Sequence, residues 1–231
     1  MSMLPSRAAL ANMVLRVLLC NWLLAAGATG ALAQDNPAPL RLVVLGDSLV
    51  AGFQLKPSEA FPAQLARALK ARGRAVEVIN AGVSGDTTAA GLERLHWAVP
   101  ERTDAVILEL GANDALRGLD PERAKANLDK IISELTKAGS EVLLAGMVAP
   151  RNLGDAYARA FDAIYPALAK KHGLLLYPFF LDGIALNDKL NLSDGMHPNA
   201  RGVAEIVARI LPSVEKLLAR AEARRAARSK G

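Results

Sequence analysis

Cysteine is almost missing from this chain. Its 231 residues hold one, Cys20, inside an amino-terminal stretch of leader-like composition. Once that stretch is removed, disulfides, thiolate metal sites and cysteine nucleophiles are excluded together. A chain free of thiols also suits an oxidising compartment. Aromatic residues make up 4% against 52% hydrophobic, so the core has to be aliphatic. Histidine is scarce as well, at three, which leaves few candidates for a general base near neutral pH. Repeats are absent, and so is any low-complexity linker after the leader, and the length suits a domain with a substantial core.

Long apolar runs are also lacking. Residues 17–26 form an apolar stretch broken only by Asn21, short for a membrane span. Arg7 and Arg16 lie in an acid-free start, and Ala31-Leu32-Ala33 places a small-x-small pattern before Gln34. That order reads as a secretory signal peptide over 1–33, with export to the periplasm and no stable membrane span after cleavage. An uncleaved amino-terminal anchor is the alternative. Leu18-Leu19 rather than a small residue precedes Cys20, which argues against lipidation.

Removing the leader takes away two arginines and no acids, lowering the formal charge from +5 to +3. Much of the excess sits in a basic tail, 220–231, with Arg220, Arg224, Arg225, Arg228 and Lys230. The tail has no aromatic side chain to stack on bases, so it reads as the solvated end of the last helix rather than a nucleic-acid or membrane contact. No nucleic-acid partner is expected.

Between these ends, strand-like and helix-like segments alternate. Strands are expected at 40–45, 75–79, 105–110, 141–147 and 174–177. Phe61, Leu65, Ala68 and Leu69 stripe a first helix closed by Gly73. Pro121 opens another, with Leu128, Ile131, Ile132 and Leu135 inward and Gly139 as the stop. Residues 155–171 read as one helix through Tyr157, Phe161, Ile164 and Leu168, and 199–218 as another, kinked at Pro212. The expected fold is α/β: a three-layer α/β/α sandwich around a five-stranded, mainly parallel sheet, spanning 34–219.

Three loops after strands carry unusual polar residues. Gly46-Asp47-Ser48-Leu49 follows the first strand without a gap and presents a serine hydroxyl at the sheet's carboxyl edge, where open α/β sheets bind ligands. Asp47 is expected to fix the loop through backbone amides. Gly82-Val83-Ser84-Gly85-Asp86-Thr87-Thr88 can expose amides to an anion, or can be a capping turn with Asp86 or Thr87 as N-cap. Ser84 lacks the Gly-x-Ser-x-Gly frame of the hydrolase elbow. Gly111-Ala112-Asn113-Asp114 can aim the Asn113 amide into the crevice or serve as a plain turn, with Asp114 bracing it.

Far downstream, Asp194-Gly195-Met196-His197-Pro198 supplies an acid and a base three residues apart. Gly195 relaxes the turn enough for the carboxylate to reach the imidazole. His96 and His172 lack that setting. Ser48, His197 and Asp194 are therefore the candidate nucleophile, base and orienting acid. The Ser48 amide, the amides of the loop around Gly85 and the Asn113 side chain could each face an oxyanion, with the capping and turn roles still open for the last two.

In order and content these blocks resemble those of the GDSL-type serine esterases, or SGNH hydrolases, from Leu42 to about Asn199. Leu116-Arg117-Gly118 and Phe161-Asp162-Ala163-Ile164-Tyr165-Pro166 are similar to a periplasmic subgroup of thioesterases and lysophospholipases. The resemblance implies a flavodoxin-like fold, no metal or other cofactor, and acyl esters or thioesters as substrates, lysophospholipids among them. It also points to Leu116, Arg117, Gly118, Leu119 and Pro150 as an apolar groove for an acyl chain, although ordinary loop packing explains them equally well. A monomer is expected. Two rivals stay open: a carbohydrate O-deacetylase on the same scaffold, and a secreted lipid- or glycan-binding module with a vestigial site.

Overall fold

The computed structural model describes residues 38–229, so the leader assigned to 1–33 lies outside the described residues. Five strands, β1 (Leu40–Gly46), β2 (Val76–Gly82), β3 (Ala105–Glu109), β4 (Glu141–Ala145) and β5 (Leu175–Tyr177), form one sheet in the order β2-β1-β3-β4-β5. Every pairing is parallel. The central β1, β3 and β4 are almost wholly buried, which explains their near-continuous aliphatic sequences, while the edge strands β2 and β5 are half-exposed.

The chain steps from β1 to β2 in one direction along the sheet, and from β3 through β4 to β5 in the other. Right-handed crossovers then put the connecting helices on opposite faces. α2 (Phe61–Ala71) packs on β2 and against the last helix, α9 (Ala200–Arg228). α3 (Thr88–Glu93), α6 (Pro121–Lys137) and α8 (Ile164–His172) form the other layer. The expected three-layer sandwich is therefore observed, and its order reverses between β1 and β3. In open α/β sheets such a reversal is where a ligand crevice forms, at the carboxyl ends of the strands.

Shorter helices fill the connections: α1 (Ser48–Ala51), α4 (Leu95–Ala98), α5 (Ala112–Leu116) and α7 (Asp155–Asp162). Residues 155–171, expected as one helix, are two, α7 and α8, which break at Ala163. Pro166 explains the break, because it has no amide hydrogen to give to the carbonyl of Asp162. α9 runs without interruption past Pro212, where the Ala208 carbonyl loses its amide partner, and on to Arg228. The expected boundary at 219 thus falls inside a helix.

Candidate active site

Ser48 is the first residue of α1, separated from the end of β1 only by Asp47. Asp47 caps that short helix by accepting from the Leu49 amide at 3.0 Å, as expected of it. Ser48 itself has no intrahelical partner for its amide, since the first N–H groups of a helix have none. Its hydroxyl meets the Nε2 of His197 at 2.9 Å. The Nδ1 of the same ring lies 2.7 Å from Asp194 Oδ2. The structure thus joins all three residues in one hydrogen-bonded line, from positions 149 residues apart.

The loop that brings the acid and base is cinched from below. Asn191 and Pro198 pair as an antiparallel bridge, and the Leu192 amide donates to the His197 carbonyl at 2.7 Å. Asn199 holds the same neck, donating to the carbonyls of Lys189 and Asn191 and capping α9 through the amides of Arg201 and Gly202. Asp194 Oδ1 accepts from the amides of Met196 and His197 at 2.9 and 3.0 Å. Those two amides, the His197 one foremost, draw the Asp194 carboxyl down to about 2, and it stays ionised over the neutral range. Phe53 leans on the imidazole, its ring centroid 4.5 Å away at a 36° tilt.

Gly85 and Asn113 follow β2 and β3, on the loop and the short helix α5 beyond their carboxyl ends. Gly85 occupies the third position of a turn closed by the Asp86 amide on the Val83 carbonyl, at a φ of +88° that only glycine adopts without strain. Arg117 donates to the Gly85 carbonyl at 2.9 Å. Of the two readings of this loop, the capping one is observed: Thr87 is the N-cap of α3, and Gly85 lies outside the helix. Asn113 Nδ2 donates to Asp47 Oδ2 at 3.1 Å and to the Asp86 carbonyl at 2.9 Å, tying the three strand-end loops together. Asp114 braces the second loop, accepting from the amide and hydroxyl of Thr88 at 2.8 and 2.6 Å.

Leu116, Arg117, Gly118 and Leu119 form an exposed lip beside this centre, with Leu116 at 55% exposure. The Tyr157 hydroxyl donates to the Leu119 carbonyl at 2.8 Å. Pro150 is half-buried on the neighbouring loop after β4, between exposed Val148 and Leu153. His96 and His172 stand elsewhere, the first beside Glu134 and the second on Asp129.

Comparison with known proteins gives this arrangement of four loops a family context. Residues 44–204 match the GDSL-like Lipase/Acylhydrolase family. The chain belongs to that family. It is 40% identical to an arylesterase of Vibrio mimicus over 184 residues, covering 78% of this chain and 92% of that protein. It is also 40% identical to the thioesterase 1/protease 1/lysophospholipase L1 of Escherichia coli (strain K12) over 159 residues, or 68% of this chain and 75% of that one. Among solved structures, the esterase AlinE4, an SGNH hydrolase, is 46% identical with a TM-score of 0.66, covering 79% of this chain and 98% of its own.

Several members of the site were not singled out in the sequence. Arg94 is buried, paired with Asp86 at 2.5 Å and donating to the Gly46 carbonyl at 2.9 Å. Phe53 left no signal beyond its closeness to Ser48. Glu109 did leave one: a lone acid within Val106-Ile107-Leu108-Glu109-Leu110 contradicts a buried strand unless it has a task.

Proposed function

We propose that this GDSL-family chain hydrolyses acyl esters and thioesters through an acyl-enzyme on Ser48. The observation that carries this reading is the hydrogen-bonded line from Ser48 Oγ through His197 to Asp194, at 2.9 and 2.7 Å. His197 Nε2 takes the serine proton as Oγ adds to the acyl carbonyl, and Asp194 keeps the opposite ring nitrogen protonated and steadies the imidazolium. The amides of Ser48 and Gly85, with Asn113 Nδ2, receive the oxyanion. Because Nδ2 is engaged by Asp47 and Asp86 in the free enzyme, it shares one of those bonds as charge develops. Collapse expels the alcohol or thiol, which leaves with the proton from His197. Water then repeats the sequence and frees the acid and Ser48.

The lip of Leu116, Arg117, Gly118 and Leu119, with Pro150 across from it, receives the acyl chain. Exposed apolar side chains beside a catalytic serine favour chains longer than acetyl, and so favour this reading over a carbohydrate deacetylase. Lysophospholipids fit the same surface, and the protein works as a periplasmic monomer. The test is a turnover series from acetyl to dodecanoyl on paired oxygen and sulfur esters, with Ser48→Ala as control. Turnover that persists to long chains and vanishes in Ser48→Ala is expected. Strict preference for acetyl would select the deacetylase instead, and an intact rate in Ser48→Ala would remove the nucleophile.

A further inference from the structure

Glu109 closes β3 and pairs in register with Gly46, the residue before the nucleophile turn. It is fully buried, and its Oε2 accepts from the Asp47 amide at 3.3 Å. The fit is close: a Cβ built on Gly46 would stand 2.5 Å from that oxygen and 2.4 Å from Val50, so β1 can pass over Glu109 only as glycine. Asp47 is committed on both sides, with Oδ1 on the Leu49 amide and Oδ2 on Asn113. A chain of contacts therefore leads from Glu109 through Asp47 to the proposed oxyanion donor. Nothing in the reaction scheme uses it.

We propose that Glu109 is a positioning residue for hydrolysis: by receiving the Asp47 amide from beneath, it fixes the side chain that aims Asn113. The inference rests on the active-site reading above. The setting of Glu109 favours its uncharged form. Burial first, then the neighbouring Asp47, push its carboxyl well above the usual range. The ionisable groups around the pair are Asp47 and Asp86 from the strand-end loops, Asp114 of α5, Tyr165 of α8, His197, and Arg94. Arg94, the cation among them, is already committed to Asp86 and the Gly46 carbonyl. The other carboxyl oxygen, Oε1, is buried without a partner, a position far less costly for a neutral acid than for an anion.

The test is a double-mutant cycle on a p-nitrophenyl ester. Glu109→Leu keeps the bulk and removes the acceptor, so kcat should fall on the order of 10- to 100-fold with KM held, the mark of a misaimed group rather than a damaged groove. Glu109→Gln, which retains an acceptor oxygen without charge, should restore most of that loss. In an Asn113→Ala background, Glu109→Leu should cost almost nothing more, because the group it positions is gone. Should Glu109→Leu fail to fold, Glu109→Met carries the same cycle. Additive losses in the double variant, or a Glu109→Gln as impaired as Glu109→Leu, would overturn the proposal. Ser48→Ala separates the layers. A dead Ser48→Ala beside an additive cycle condemns only Glu109's role, whereas an active one condemns the site.

Discussion

Asp47 does two things that pull against each other. Its carboxylate organises the nucleophile turn, yet it is completely buried, and burial lifts it to about 6 against the opposing pull of the Leu49 amide, His197 and Asn113. A carboxyl whose folded value lies above its unfolded one, about 4, binds its proton more tightly when folded. Its contribution is therefore most favourable below about pH 4 and declines as pH climbs through about 6. Asp194 has the opposite sign, since its depressed value adds stability above the unfolded range and loses it as pH falls toward 2. The two windows do not overlap. Asp47→Asn keeps an oxygen for the Leu49 amide but cannot ionise, so the melting temperature of the variant should lack the decline between about pH 4 and 6. Activity should nevertheless fall, because the new amide turns an NH₂ toward that of Asn113. Calorimetry at stepped pH beside turnover checks both halves, and an unchanged slope would mean that the burial cost is relieved elsewhere.

Among the elements, α9 departs most from its reading. The arginines that suggested a solvated tail are in use at the amino-terminal edge of the sheet. Arg225 grips Asp104 with Nε and Nη2 at 3.1 and 2.5 Å, and Asp104 also receives the Arg41 amide of β1. Arg224 pairs with Glu141 of β4, Arg228 reaches the Gly139 carbonyl, and Arg220 the Gly173 carbonyl. Charge and helical pitch were visible in the sequence, but not the acids waiting 83 and 121 residues upstream. The same limit explains β2, which runs on through Asn80-Ala81-Gly82 because β1 pairs with it to the end. Local periodicity located β1, β3 and β4, whose burial is dictated by their own side chains, and the loops of the candidate site stood out because the proposed chemistry restricts residue type. Tertiary partners decided the rest. Replacing Arg225 by Ala should destabilise the fold by roughly 1–3 kcal/mol, discounted because the guanidinium is partly exposed. At a domain of this size that lowers the melting temperature by about 2–12 °C. Turnover at moderate temperature should hold, because the clamp lies at the sheet edge opposite the catalytic one. A loss of rate without a loss of stability would link the two edges.

On the scale of the whole molecule, the sheet divides the labour between its ends. The carboxyl edge collects the reactive loops and exposed apolar lip, and the amino edge is locked by ion pairs that neutralise much of the basic helix end. With those arginines occupied, the surplus of positive charge is not a free polybasic patch, which weakens any case for nucleic acid or an anionic membrane surface. A leader at residues 1–33 would instead act on the chain before folding is complete. Among the described residues no helix is long and apolar enough to cross a bilayer. If residues 1–33 are a cleaved signal, the protein recovered from a Gram-negative host should lie in the periplasmic fraction, begin at Gln34 by intact mass, and contain no cysteine. Ester turnover should follow that fraction. Cleavage at that point would leave six residues, Gln34 to Pro39, before β1 begins at Leu40. A full-length mass starting at Met1, with activity pelleting with membranes and released by detergent rather than salt, would instead identify the segment as an anchor.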